Sequence, residues 1–200
     1  LGSGASINDL GDEDWARIAA ADSVGFNNWH LHPFLPSLYI NEPGKDLGLL
    51  QAELANLVRR GYGEARIPIL LKDVERYRRH ELVHILESMP AALWPQVSLS
   101  WDWEVHEQDR ERFRWKLRWL HRLGIVHRRC FPILRKRASV FYIVLLALRA
   151  GYKNVVLCGI DLNNGDYFYE SRRQELLAEG YWLPAAKPVA GAHKTDDPDY

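Results

Sequence analysis

The chain has little of what marks secreted, membrane-spanning or nucleic-acid-binding proteins. It has only two cysteines, Cys130 and Cys158, without the paired spacing of a disulfide framework, which fits a reducing compartment. The formal net charge is zero, so no overall positive field attracts nucleic acid. The longest mainly apolar run, Ala138 to Leu148, is shorter than the roughly 20 residues that span a bilayer. We therefore expect a cytoplasmic protein.

The chain does have enough apolar residues for one hydrophobic core. Its 200 residues are 47% hydrophobic, which predicts a single domain over residues 1–200. The first residue is Leu rather than Met, which leads us to expect that the native N-terminus lies further upstream. The segment from Pro184 to Tyr200 is rich in Pro, Gly, Ala and Asp and is predicted to be a loop.

Between these ends, strand-like and helix-like patterns alternate. Short apolar runs predict strands at residues 22–28, 37–40, 67–71, 97–101 and 155–157. Helical periodicity predicts helices at residues 12–21, 47–58, 80–89, 107–123 and 139–150. Strands separated by helices indicate an α/β fold with a mainly parallel sheet and helices on both faces.

Polar residues close three of the predicted strands, at Asn28, Asn41 and Asp161. Two glycine-rich turns, residues 1–6 and 158–161, provide small residues beside them. In open α/β sheets, ligands bind beyond the carboxyl ends of the strands, and carboxamides offer a donor and an acceptor together. Taken singly, each Asn or Asp is more often a turn former. Together on one sheet edge, they favour a nucleotide pocket.

The order of these motifs resembles the bacterial sialyltransferases of glycosyltransferase family 42. The motifs that carry the resemblance are the first glycine turn, Phe26-Asn27-Asn28, Tyr39-Ile40-Asn41, Ser139, Gly151-Tyr152-Lys153, Gly159-Ile160-Asp161 and His193-Lys194. The resemblance implies a modified Rossmann-like (GT-A-type) domain. It also implies transfer of sialic acid, or a related nonulosonic acid, from a CMP-sugar with inversion and without a metal or cofactor.

The same resemblance implies roles for individual residues. His193 would be the general base, in an active-site loop over 184–200, and Tyr167 would stabilise the leaving phosphate. Ser139 would bind that phosphate at a helix start. The implied donor-binding residues are Ser3, Gly4, Ser6, Asn28, Asn41, Lys136, Ser139, Gly159, Asp161, Asn163 and Tyr169. Ala138, Val140 and Asn163 depart from the family pattern, which leaves a catalytically silent nucleotide- or membrane-binding relative as an alternative.

A second motif points to different chemistry. His80-Glu81-Leu82-Val83-His84 is an H-E-x-x-H sequence, which on a helix places two imidazoles for zinc and a glutamate as base. By helical angle, both histidines point away from the apolar face formed by Leu82 and Ile85. We expect them on the solvated side of a structural helix, with a zinc-dependent hydrolase as the alternative.

The segment from Asp109 to Arg137 holds eleven Lys or Arg against two acids, in a protein without net charge. Tryptophans and leucines are interleaved with the basic residues, a pattern typical of helices on anionic membranes. Nucleic-acid binding is the alternative for this segment. A core helix with a solvated basic side explains the pattern about as well as both functions together. With the resemblance, it predicts a glycan or glycolipid acceptor, as in lipooligosaccharide biosynthesis, at the inner face of the cytoplasmic membrane. It predicts no nucleic-acid partner and allows a homo-oligomer.

Overall fold

The computed structural model describes residues 1–44, 46–74, 77–100, 103–104, 109–123, 134–135, 139–161 and 166–185. The chain divides into two units. The first comprises Leu1–Ser100 and Val156–His193, and the second comprises Trp101–Val155 and Lys194–Tyr200. The single domain over residues 1–200 stays a prediction.

The first unit is built on a four-stranded parallel sheet. Its strands are β1 (Val24–Phe26), β2 (Leu38–Asn41), β3 (Ile69–Leu71) and β4 (Val97–Leu99), in the order β1-β2-β3-β4. Phe26 pairs with Ile40, and Ile40 pairs with Leu70, so that consecutive strands of the chain are neighbours in the sheet. The parallel pairing confirms the α/β, Rossmann-like fold class.

Helices alternate with the strands as the sequence pattern predicts. They are α1 (Asp12–Ala19), α2 (Leu47–Arg59), α3 (Arg79–Glu87), α4 (Arg110–Arg122), α5 (Ser139–Arg149) and α6 (Arg173–Ala178). Short 3₁₀ helices lie at Ala5–Asp9, Asn27–Leu31, Trp94–Gln96 and Glu170–Arg172. The 3₁₀ helices, α6 and a two-residue strand pair were not predicted.

Helix α2 shows how local sequence sets its limits. The Asp46 carboxylate caps its start by accepting from the amides of Gly48 and Leu49, at 2.9 and 3.2 Å. The end of α2 is followed by Gly61, which has φ of +86°. The next residue, Tyr62, donates its amide to the Leu57 carbonyl at 3.1 Å. This arrangement closes the last turn with glycine in the left-handed conformation.

The core of the first unit is assembled from the sheet, α2 and the segment after β1. Its largest fully buried apolar side chains are Ile7, Trp29, Leu31, Tyr39, Ile40, Leu50, Leu54, Leu57, Tyr62 and Tyr169. Burying a leucine or isoleucine side chain contributes about 1.5–3 kcal/mol, so α2 is held to the sheet chiefly by its leucines.

The second unit contains α4, α5 and two short parallel strands, β5 (Trp103–Glu104) and β6 (Leu134–Arg135). Asp109 caps α4, because its carboxylate accepts from the Arg112 amide at 2.7 Å. No residue of α4 is buried, whereas α5 buries Tyr142 and Ile143. In the described part of the chain, no helix combines the length and apolar character needed to cross a membrane.

The predicted strand at residues 155–157 is wrong. Val156 and Leu157 are 81% and 52% exposed, and no backbone hydrogen bond reaches them from any described residue. Backbone hydrogen bonds to the first glycine turn begin only at Cys158 and Gly159, whose carbonyls accept from Gly2 and Gly4. An apolar run therefore extends here without the strand ladder that defines a β-strand.

Candidate functional site

The carboxyl edge of the sheet gathers the polar residues that follow the strands. Because β1, β2 and β3 are parallel, the residues after each strand come to the same edge. A cavity of about 390 Å³ opens there, within the range of small-molecule sites. It is lined by Asn27, Asn28, Asn41, Glu42, Pro43, Gly44, Glu53 and Tyr77. The structure thus brings the two predicted carboxamides, Asn28 and Asn41, to one cavity.

Asn41 is the best-buried polar residue of the cavity lining, with only 3% of its surface exposed. Its amide donates to a carboxylate oxygen of Glu53 at 3.4 Å. Burial raises the pKa of Glu53, since the low-dielectric surroundings disfavour the charged form. The cavity therefore holds a carboxyl that gains protons more easily than an exposed glutamate.

Lys72 neutralises much of the negative charge at this edge. Its side chain is 1% exposed and contacts Glu42 at 2.6 Å and Asp73 at 2.7 Å. One ammonium therefore serves two carboxylates, and Glu53 adds a third acid to the same edge. A ligand that brings hydrogen-bond donors fits this lining better than one that brings a further anionic group.

A pair of tyrosines connects the cavity to the first glycine turn. The Asn28 amide donates to the Tyr169 hydroxyl at 3.2 Å, and the Tyr169 ring stacks on that of Tyr167 with 5.2 Å between centroids. Tyr167 in turn forms a β-bridge with Gly4. Burial raises the pKa of Tyr169, so its phenol stays protonated and can donate.

The two glycine-rich turns lie against each other, as the sequence suggests. The amides of Gly2 and Gly4 donate to the carbonyls of Cys158 and Gly159 at 2.8 and 2.9 Å. A Cβ on Gly4 would lie 2.5 Å from the Asp161 carboxylate, and one on Gly159 would lie 2.5 Å from Ile7. Gly159 also has φ of +67°, which disfavours other residues. Close backbone approach explains why this contact uses glycine.

Ser6 and Asp161 are hydrogen-bonded to each other. The Asp161 carboxylate accepts from the Ser6 amide at 2.9 Å and from the Ser6 hydroxyl. Two of the implied donor-binding residues therefore contact each other directly. Ser3 is buried, and its hydroxyl has no hydrogen-bond partner among the described residues.

Tyr39 and His30 contact the backbone at Asn27, between β1 and the cavity. The Tyr39 hydroxyl donates to the Asn27 carbonyl at 2.5 Å, and the His30 Nδ1 lies 3.1 Å from the same hydroxyl. Burial lowers the pKa of His30 to about 4, so the ring is neutral at pH 7. Asn27 and Asp73 both adopt positive φ, near +54° and +59°. Such conformations concentrate at ligand-binding sites.

Several of the implied residues cannot be placed at this edge. Lys136, Asn163 and His193 lie outside the described residues. Ser139 begins α5 and belongs to the second unit.

The two histidines of the H-E-x-x-H sequence face solvent, as predicted. His80 and His84 are both exposed on α3, and His84 lies 3.4 Å from Glu87. The described residues contain no group of three His, Cys, Asp or Glu that could hold a metal ion.

Four charged residues of the edge were missed, although the sequence contains signals for them: Glu42, Glu53, Lys72 and Asp73. Glu53 interrupts the apolar stripe of α2 one turn after Leu50, and an acid on the buried face of a helix is unusual. Lys72 and Asp73 come directly after β3. They therefore hold the same kind of strand-end position as Asn28 and Asn41. Tyr77 had no such signal, because only the fold brings it back to the cavity.

No protein-family model, curated protein or solved structure matches the chain. The similarity to glycosyltransferase family 42 therefore stays a prediction that depends on the motifs themselves.

Proposed function

We propose that the protein is an inverting glycosyltransferase that uses a CMP-activated nonulosonic acid, such as CMP-sialic acid. The observation that supports this best is the shared cavity of Asn28 and Asn41, two residues whose donor-binding role was inferred from the sequence alone. The Asn28–Tyr169 hydrogen bond adds a third implied residue to the same group.

The charges of the cavity suggest how the donor is oriented. Hydroxyl and amino groups of the donor are placed against Asn41, Glu42 and Glu53, because these side chains accept hydrogen bonds. The donor phosphate is placed away from the carboxylates, towards the hydroxyl groups of Tyr167 and Tyr169. Such preorganised donors stabilise the charge that develops on a leaving phosphate.

The proposed reaction exchanges one bond at the anomeric carbon. The acceptor hydroxyl oxygen forms a bond to that carbon as the bond to the phosphate oxygen breaks, and the electron pair leaves with CMP. The acceptor proton passes to His193, the implied general base. Histidine suits this role because its ordinary pKa lies close to neutral pH.

Calorimetric titration with CMP, UMP and AMP tests the pocket. We expect CMP to bind best and Asn28→Ala to weaken it by about 1–3 kcal/mol, the cost of a lost polar contact at a buried site. Asn154→Ala is the matched control, because Asn154 is exposed and does not line the cavity. Equal affinity for the three nucleotides would reject the proposal.

Turnover of CMP-sialic acid separates an active enzyme from the alternatives. We expect His193→Ala to lower turnover by roughly 10²–10⁴-fold with nearly unchanged CMP affinity, and Tyr167→Phe to cost less. The rising limb of the pH profile should disappear in the His193 variant. CMP binding without any turnover would instead indicate a catalytically silent relative.

His80→Ala is expected to leave turnover unchanged. Loss of activity in this variant or on chelation, with activity retained after His193→Ala, would replace the proposal with the zinc-dependent hydrolase.

We further propose that the acceptor is presented at an anionic membrane surface, to which α4 binds. Trp115 and Trp119 are 58% and 45% exposed on this helix, and their ring centroids lie 5.8 Å apart. Arg114, Arg118 and Arg122 recur at helical spacing beside them. Exposed tryptophans among arginines are typical of helices in the headgroup region.

A further inference from the structure

Glu53 is a half-buried acid without a cation of its own. It belongs to α2 and lines the cavity at the carboxyl edge of the sheet. Among the described residues, its one hydrogen bond comes from the Asn41 amide at 3.4 Å, and no Lys, Arg or His pairs with it. Acids that are taken out of water are normally paired with a cation. The Glu53 carboxyl therefore offers the cavity a place for positive charge.

The nearest buried cation cannot fill this place. The Lys72 ammonium is held by Glu42 at 2.6 Å and by Asp73 at 2.7 Å, and its side chain is 1% exposed. With Glu53, the described residues at this edge carry three acids for one ammonium. An additional cation would therefore balance the charge better than a neutral or anionic group.

An unused acceptor lies next to Glu53. Asn41 lines the same cavity and is 3% exposed. Its Oδ1 is buried and has no hydrogen-bond partner among the described residues. Leaving a buried acceptor unbonded is costly, so a ligand that donates to this oxygen gains a hydrogen bond that the protein alone does not make.

Several donors of the lining already bond to protein acceptors. The Asn41 amide donates to Glu53, the Asn28 amide donates to the Tyr169 hydroxyl, and the Tyr77 hydroxyl donates to a backbone carbonyl. The unused capacity beside α2 is that of acceptors. A ligand must therefore bring hydrogen-bond donors to this part of the cavity.

The kind of donor follows from the charge and the number of acceptors. A divalent metal ion does not fit, because the described residues contain no group of three His, Cys, Asp or Glu that could hold one. A hydroxyl has one proton and leaves the charge of Glu53 unpaired. A primary ammonium carries a positive charge and three donors, enough for both Asn41 Oδ1 and the Glu53 carboxylate.

We propose that the cavity contains a subsite for a primary ammonium group, whose ligand bears an unsubstituted amine that donates to Asn41 Oδ1 and to Glu53. Acetylation of the amine removes its charge and all but one of its N–H donors, so the subsite distinguishes free from acetylated amines. That the amine belongs to the sugar of a CMP donor, a nonulosonic acid with a free amino group, rests on the proposed function. The subsite itself does not.

The protonation of Glu53 agrees with this assignment. Burial alone raises the pKa of Glu53, and an adjacent ammonium opposes that change by favouring the carboxylate. Bound ligand and ionised Glu53 therefore stabilise each other.

A titration of the full chain with three sugars that differ at one substituent tests the subsite. Glucosamine carries an ammonium, N-acetylglucosamine a neutral amide and glucose a hydroxyl. At neutral pH, we expect glucosamine to shift the backbone amide resonances of Asn28, Asn41 and Gly44. We expect it to bind at least about tenfold more tightly than the other two sugars, as a charge-assisted hydrogen bond allows. Potassium chloride at matched ionic strength is the control.

Glu53→Gln keeps the shape of the side chain and removes its charge. We expect the three sugars to bind this variant alike. Glu64→Gln is the matched control, because Glu64 is exposed and does not line the cavity, and it should keep the full preference for glucosamine. Cooperative thermal unfolding verifies that both variants are folded.

No preference for glucosamine in the unmodified protein, or the same shifts with potassium chloride, would overturn the proposal. An undiminished preference in Glu53→Gln would overturn it as well. The outcome is separable from that of the proposed function. A glucosamine preference without CMP binding would keep the subsite and reject the glycosyltransferase, whereas CMP binding without the preference would do the reverse.

Discussion

The carboxyl edge of the first unit and helix α4 of the second unit show opposite departures from ordinary burial. At the edge, charged and polar groups are buried, with Lys72 and Asp73 each 1% exposed. On α4, aromatic side chains are exposed, with Trp115 58% exposed. Both departures cost stability, the first through desolvation and the second through exposed apolar surface.

The difference between them indicates different kinds of partner. A buried polar edge around a cavity suits a small ligand that satisfies hydrogen bonds at fixed positions. An exposed aromatic and basic helix suits an extended surface, which needs no fixed geometry. Variants that change one region and leave the other intact can therefore test whether the two regions have different partners.

The largest expected effect is on the buried ion pairs of the edge. Lys72→Met leaves Glu42 and Asp73 without the ammonium that lies between them. We expect the free energy of unfolding to fall by about 3–5 kcal/mol, as when one partner of a buried pair is removed. Chemical denaturation monitored by tryptophan fluorescence measures it.

Arg17→Met is the matched control for Lys72→Met. Arg17 pairs with Glu13 at 3.6 Å on exposed α1, where both side chains are largely solvated. We expect a change below about 0.5 kcal/mol. Similar losses in the two variants would show that Lys72 is no more important than a surface cation.

The second prediction concerns α4. Replacing Arg114, Arg118 and Arg122 with Glu should weaken binding to anionic vesicles by about 3 kcal/mol or more, since each basic residue near such a surface contributes about 1 kcal/mol. Cosedimentation at low salt measures this, with uncharged vesicles as the control. If the unmodified protein does not bind anionic vesicles, α4 is a helix with a solvated basic side.

The third prediction uses the buried His30, whose pKa falls from 6.5 to about 4 on folding. Between these values the unfolded chain binds a proton that the folded protein does not, so stability falls as pH drops from 6.5 towards 4. The loss should reach about 3 kcal/mol at the lower end.

Unfolding curves of the protein and of His30→Gln across this pH range isolate the effect. The pKa of His32 is also lowered to about 4 by burial, so the variant should keep part of the slope. Identical pH dependence in both proteins would show that folding does not lower the pKa of His30.

The smallest expected effect is that of Glu53→Gln. Burial raises the pKa of Glu53, so the folded protein holds its proton to higher pH than the unfolded chain. Its ionisation therefore costs stability as pH rises above the ordinary range of glutamate. The variant should be more stable at pH 7 by about 1 kcal/mol or less, with an advantage that disappears at acidic pH. An advantage that grows on acidification would contradict this.

Much of the fold could be predicted from local pattern. The leucine stripe and Gly61 defined α2, and four short apolar runs gave β1 to β4 within a few residues. The run at residues 155–157 was wrong because apolar character does not supply a pairing partner, and a strand needs one. The 3₁₀ helix at Asn27–Leu31 was missed. The carbonyl of its first residue accepts a hydrogen bond from Tyr39 of the next strand, a contact that local pattern does not reveal.

The candidate site was only partly predictable. Asn28 and Asn41 could be proposed because parallel strands bring their ends together whatever the details of packing. Tyr77 could not be proposed, because its place at the cavity depends on how the chain returns after β3.

The sequence by itself determined the alternation of strands and helices, their approximate limits and the polar strand ends, because these depend on neighbours along the chain. The tertiary structure decided which polar groups meet. It placed Lys72 between two acids, seated Glu53 beside Asn41 and paired Ser6 with Asp161. Apart from Lys72 and Asp73, which are neighbours in the chain, the residues in contact come from distant segments. The strength of the contacts depends on burial, which no local pattern specifies.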